Sequence, residues 1–155
     1  MDANKVYYLT EQGLEKLRQD FAQLKETRKA RLGKEAPSAF YSEELNSEFV
    51  SFRDEMDVLD AKLEEIEYVL KNHEIIKPPA MSERNKVNLG AKVKVEINGQ
   101  TDDFMIVGTW EANPALGMIS NESPVGRALL GKKVGEAATI SSPIKIEYKI
   151  KKITY

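Results

Sequence analysis

The residues best suited to chemistry in this chain are two adjacent carboxylates, Glu43 and Glu44, with Ser42 just ahead of them. As ligands, neighbouring acids suit a hard cation such as Mg²⁺, which takes oxygen donors and shares its shell with water and a second macromolecule. As helix-start residues they need no ligand, because Ser42 is a good N-cap and carboxylates in a first turn complement the positive end of the helix dipole. Both readings stand at the level of residue types. A second concentration of charge lies upstream, in Lys25, Arg28, Lys29, Arg31 and Lys34. It reads either as a solvated face paired with the acidic segment that follows, or as a patch facing phosphate or RNA. The single histidine, His73, falls at the end of a helical stretch, where a dipole partner is a simpler reading than a ligand or base. The absence of cysteine excludes thiolate catalysis, disulfides and cysteine zinc sites, and fits a reducing compartment.

Something long must carry these groups. From residue 49 to 70 the apolar residues Phe49, Phe52, Met56, Leu59, Leu63, Ile66 and Leu70 recur at alternating steps of three and four, the seam of a coiled-coil helix. Leu14, Leu17, Phe21 and Leu24 keep the same spacing, with Arg28 and Arg31 next in the series. Thr10 is a good N-cap for this first helix, with Glu11 in its first turn. Gly33, Pro37 and Ser38 break the pattern between the two segments, so the chain is expected to fold back as an antiparallel hairpin. Setting Leu14 opposite Leu63, Leu17 opposite Leu59, Phe21 opposite Met56 and Leu24 opposite Phe52 places the turn near Ser38 and Ala39. Arms of about 30 residues, at about 1.5 Å per residue, make a rod of about 45 Å. A seam satisfied within one chain predicts a monomer.

Beyond the hairpin the period changes. Pro78-Pro79 and the polar run from Ser82 to Lys86 read as a linker, after which Val93, Val95 and Ile97 alternate with Lys94 and Glu96 up to the turn pair Asn98-Gly99. A returning strand over 103–108, a short strand at 118–120 and strands over 137–140 and 144–153 complete a small antiparallel sheet. In the last strand Ile144, Ile146, Tyr148 and Ile150 share one face, with Lys152 next in the series. Ser123-Pro124 opens a brief helix over 125–130 that Gly131 stops. The expectation is an α+β chain: a coiled-coil hairpin over 1–76, a linker over 77–86 and a sheet domain over 87–155. The 155 residues have a formal net charge of −2, which excludes a strongly electrostatic nucleic-acid binder. No apolar run approaches a membrane span and no signal-peptide core opens the chain, so a cytoplasmic location is expected.

Several motifs resemble the Gre-type bacterial transcription elongation factors. They are Leu89-Gly90-Ala91-Lys92-Val93, Ile106-Val107-Gly108, the long run from Ile119 to Lys132 that includes Ser123-Pro124-Val125-Gly126-Arg127, and the opening Leu9-Thr10-Glu11-Gln12-Gly13-Leu14. The resemblance spans nearly the whole chain and implies an FKBP-like fold for the sheet domain. It implies that this domain docks on RNA polymerase at the secondary channel, with Ser123, Pro124 and Arg127 facing the polymerase. It further implies that the rod enters the channel and stimulates the polymerase's own cleavage of backtracked RNA. In that scheme the protein is not itself an enzyme and binds no cofactor alone. Glu43 and Glu44 help position a Mg²⁺ shared with the polymerase, while Lys25, Arg28, Lys29 and Arg31 face the nascent RNA. The tip departs from the family pattern Gly-Asp-Leu-Xaa-Glu-Asn-Ala-Glu-Tyr. Aligning Asn46, Glu48 and Phe49 puts Ser42 and Leu45 where that pattern has acids, so the resemblance also admits a homologue that occupies the channel and regulates or inhibits polymerase without promoting cleavage.

Overall fold

The computed structural model describes residues 5–34, 47–141 and 145–155. The chain divides into two compact units, one formed by Leu14–Asn72 and the other by Met1–Gly13 together with His73–Tyr155. The sheet-bearing unit thus takes in the first residues of the chain and residues 73–76, whereas hydrophobic period alone groups all of 1–76 with the hairpin.

The first of these units consists of two long helices, α1 (Glu11–Lys34) and α2 (Ser47–Lys71). Along α1 the spacing of three and four is visible in burial: Leu14 and Leu17 are buried, Phe21, Leu24, Arg28 and Arg31 are half-buried, and the positions between them are exposed from Leu14 to Ala30. On α2 the buried residues are Met56, Leu63, Ile66 and Val69. Val69 rather than Leu70 is fully covered. Arg28 reaches Asp60 and Arg31 reaches Glu55, which establishes an antiparallel pair. The register differs from the expected one, which would have set Arg28 opposite Glu48. The turn expected at Ser38 and Ala39, the cap Ser42 and the acids Glu43 and Glu44 lie outside the described residues.

In the other unit, β1 (Tyr7–Leu9) pairs in parallel with β2 (His73–Ile75). His73 therefore belongs to a strand and not to the end of α2. The main sheet contains β3 (Lys92–Ile97), β4 (Gln100–Val107), β5 (Met118–Ser120), β6 (Ala137–Ser141) and β7 (Lys145–Thr154), in the spatial order β5-β4-β3-β7-β6. Asn98 and Gly99 both take positive φ, as a tight hairpin between β3 and β4 requires. The β4–β5 pair is parallel and the other pairs are antiparallel, so the sheet is mixed. One short helix, α3 (Pro124–Leu129), completes the unit.

Alternation along the strands puts one face into the core. Val93, Val95, Ile106, Ile119, Leu129, Tyr148 and Ile150 form a single buried cluster. The alternation breaks once, where Lys94 pairs with Lys152 but the next residue, Val95, pairs with Ile150. Lys151 is the extra residue of a bulge, which resets the parity of β7. Lys152 consequently leaves the core-facing series in which the sequence placed it, and Ile153 turns inward to pack against the cluster.

Candidate functional site

The sheet unit carries its most elaborate local structure at the turn from β5 into α3. Ser123 is the N-cap of α3: its hydroxyl oxygen accepts a hydrogen bond from the Gly126 N–H at 3.0 Å and its hydroxyl donates to the Ser120 carbonyl at 2.7 Å. Pro124 follows at the first helical position, where a missing N–H costs nothing. The Ser120 carbonyl also accepts the Ser123 N–H at 3.1 Å. A Cβ on Gly126 would stand 2.0 Å from that same carbonyl oxygen, so only glycine permits the approach. Downstream, the Gly131 N–H donates to the Val87 carbonyl and the Val87 N–H to the Lys132 carbonyl, each at 2.8 Å. The turn is a rigid bracket with both chemical functions of Ser123 used internally. Pro124 and Arg127 project from it as exposed side chains, while Leu129 is fully buried.

Beside this bracket lies a group of residues that sequence reasoning missed. Lys5 pairs with Glu122 at 3.0 Å and stands 5.4 Å over the Tyr7 ring, which meets the chain's only tryptophan, Trp110, edge-on at 6.5 Å. Next to Trp110, Glu111 accepts the Thr10 N–H at 2.6 Å and the Thr10 hydroxyl at 2.5 Å. Thr10 in turn accepts the Gly13 N–H at 2.9 Å, the N-capping bond expected of it. Thr10 was legible as a cap, but nothing in the sequence points to a carboxylate 101 residues away as its partner.

On the hairpin, the four predicted basic residues divide. Arg28 grips the Asp60 carboxylate with Nε and Nη2, a bidentate geometry. Its hydrogen bond is the main reason the Asp60 carboxyl lies below the usual carboxylate range; partial desolvation opposes the shift and the charge of Arg28 adds to it. The same hydrogen bond and the Asp60 charge raise the Arg28 pKa. Arg31 is paired with Glu55. Lys25 stands 4.8 Å over the Phe21 ring, and Lys29 is exposed. Carboxylates of α2 thus offset two of the four cations, and the exposed positive charge of this stretch rests on the lysines.

Among the described residues no group of three or more His, Cys, Asp or Glu side chains is arranged to hold a metal ion. No helix among them is long and apolar enough to cross a membrane. The described surface presents a bracket with Pro124 and Arg127 exposed, and a hairpin whose exposed faces are charged.

The profile of a family described as "Transcription elongation factor, GreA/GreB, C-term" matches residues 81–155. A protein named transcription elongation factor GreA from Thermomicrobium roseum is 36% identical over 137 residues, covering 87% of this chain and 88% of that protein. A protein of the same name from Bacillus cereus is 35% identical over 147 residues and covers 92% of both. Among solved structures, that of GreA factor homolog 1 from Thermus thermophilus is 25% identical, with a TM-score of 0.43, over 97% of this chain and 100% of that one.

Proposed function

Because the chain belongs to the GreA/GreB family of transcription elongation factors, we propose that it binds bacterial RNA polymerase at the secondary channel and stimulates cleavage of backtracked RNA by the polymerase's own active site. The observation that carries this reading is the extent of the relationship: identity of 36% reaches across 87% of the chain, so it takes in both the hairpin and the sheet unit. A factor of this kind supplies binding and positioning, while the bond-breaking machinery belongs to the polymerase. Phosphodiester hydrolysis by two metal ions requires both to be held, and a carboxylate delivered from outside can complete a weakly held one. Glu43 and Glu44 are the residues assigned to that task, toward a Mg²⁺ shared with the polymerase.

The bracket around Ser123 gives the docking role a physical form. Ser123 and Gly126 fix its backbone, and the exposed Pro124 and Arg127 are the groups offered to the polymerase. On the hairpin, Lys25 and Lys29 are the cations available to the nascent RNA, with Arg28 and Arg31 holding the two helices together. The chain acts as a cytoplasmic monomer, since α1 and α2 pair within it.

One observation favours a second reading. Ser42 and Leu45 stand where the family's tip pattern has acids. A rod with that tip occupies the channel and regulates polymerase without promoting cleavage. Transcript cleavage on a stalled, backtracked polymerase complex separates the two. Cleavage that appears with the protein and disappears with Glu43→Ala/Glu44→Ala, binding intact, supports the first reading. Binding without cleavage, together with altered elongation, overturns it in favour of the second.

A further inference from the structure

Strand alternation explains the core face of the main sheet, but it does not explain what stands on the other face. Directly opposed residues share a face, so the pairings Met118 with Met105, Met105 with Lys92, and Lys92 with Thr154 form one row across four strands. A neighbouring row runs Asp103, Lys94, Lys152. The solvent face of an antiparallel strand is ordinarily polar, yet this one carries two methionines. Leu116 joins them from the loop before β5 and is 74% exposed. Gly117 holds that loop close, with φ +70 and room for no Cβ, because the Asp103 carbonyl oxygen would lie 2.5 Å from it.

These residues line a cavity of about 480 Å³. Its floor is aliphatic, from Met105, Met118 and Leu116, and its rim is basic, from Lys92, Lys94 and Lys152. The rim is unusual in its own right. Lys94 and Lys152 are direct cross-strand partners, and like charges directly opposed destabilise a sheet. Asp103, 3.5 Å from Lys94, is the one carboxylate lining the cavity and offsets only part of this repulsion. An anionic group laid between the lysines would relieve the rest. The cavity's Phe104 offers no stacking platform for a base, because its ring is tilted against Tyr148 at 6.2 Å and packs with the core.

We propose that this outer face is a docking site for an acidic polypeptide segment bearing a bulky aliphatic side chain, which would fill the methionine-floored cavity while its carboxylates lie between Lys92, Lys94 and Lys152. Charge complementarity selects the acidic partner, and the aliphatic floor selects a polypeptide over a nucleic acid. The site is separate from the Ser123 bracket and does not depend on the polymerase reading.

The test uses the full-length ¹⁵N-labelled protein and three probes: a 12-residue Asp/Glu peptide with two central leucines, the same peptide with alanines there, and a 12-nucleotide oligouridylate. The leucine peptide is expected to shift the amide resonances of Lys92, Met105, Met118 and Lys152. The alanine peptide is expected to bind about tenfold more weakly, as loss of an anchoring side chain implies. Lys152→Glu should cut affinity for the leucine peptide by at least about tenfold while raising the thermal midpoint, because it removes the repulsion with Lys94 and leaves an opposite-charge pair. A rise in stability with a fall in binding cannot come from misfolding. The proposal is overturned if the leucine peptide leaves these resonances unmoved, if the alanine peptide binds equally well, if the oligouridylate binds this face in the peptide's place, or if Lys152→Glu leaves affinity unchanged.

Discussion

Glu111 takes both the backbone N–H and the hydroxyl of Thr10, at 2.6 and 2.5 Å, across 101 residues of chain. The Thr10 hydroxyl also caps the Gly13 N–H, so one carboxylate fixes the residue on which the first turn of α1 depends. Thr10→Ala is expected to cost about 1 kcal/mol, the usual loss of a helix cap. Gly13→Ala tests the same arrangement from the other side. Its Cβ would fall 2.1 Å from the Glu111 carboxyl carbon and must displace it. Chemical denaturation of the two single variants and the double variant should show strong non-additivity, since both act on one contact. Simple addition of the two losses would mean that Glu111 is not the shared partner.

Ser123 and Arg127 belong to one motif but make different predictions. Ser123→Ala removes an N-cap and should lower stability by about 1 kcal/mol, with any change in polymerase affinity following from a loosened bracket. Arg127→Glu touches an exposed side chain and should leave the denaturation midpoint nearly unchanged. It should weaken polymerase binding in a manner that depends on salt. Equal loss of affinity in the two variants at equal stability would argue that Ser123 itself meets the polymerase.

The Asp60 carboxyl titrates below its ordinary 3.8 in the folded chain, mainly through the hydrogen bond from Arg28. A depressed carboxylate pKa means that the unfolded chain holds the proton more tightly. The contribution to stability is therefore present above pH 3.8 and is lost as the pH falls through the folded-state value. Asp60→Asn should be less stable than the parent at neutral pH, and the gap should close in acid. Because the two side chains keep 40% and 42% of their surface in solvent, the gap should be small and should narrow with added salt. Denaturation midpoints measured across this pH range check it; a gap that persists in acid would separate Asp60 from the acid transition.

Leu129 ends α3 with no exposed surface, and Leu116 stands 74% exposed in the loop before β5. Leu129→Ala should destabilise the sheet unit by about 2–5 kcal/mol, through lost transfer energy and the cavity left behind. Leu116→Ala should stay within about 0.5 kcal/mol of the parent. Calorimetry on the two variants distinguishes a true core position from a merely apolar one.

The sequence reading recovered the hairpin because steps of three and four survive any local detail: Leu14, Leu17, Phe21, Leu24, Arg28 and Arg31 are the covered line of α1. It misplaced the register because a seam of alternating threes and fours maps nearly onto itself at every shift of about 3.5 residues, so matching apolar residues cannot choose among offsets. The deciding contacts are those of Arg28 with Asp60 and Arg31 with Glu55, long polar side chains that carry no periodic signal. β1 and β2 escaped for a related reason. Each has three residues, too few to show alternation, and their pairing joins Tyr7 to His73. At the β5–α3 turn the motif was visible, but the use of both hydroxyl functions of Ser123 depends on the Ser120 carbonyl and the Gly126 N–H, which only the folded turn brings near.

The bulge in β7 also determines where the chain can change in length. Tyr155 donates its hydroxyl to the Lys86 carbonyl at 2.6 Å and accepts the Asn88 N–H at 2.9 Å, so the last residue is pinned in place. Losing a residue between Lys145 and Ile150 would exchange inside for outside along part of the strand and draw its end about 3.3 Å out of reach. Losing Lys151 alone would leave Ile150 with Val95, Lys152 with Lys94 and Ile153 with Val93, now as an unbroken ladder. The final strand therefore holds one spare residue. A one-residue deletion within Lys151-Lys152 would leave every other side chain of the strand on its own face.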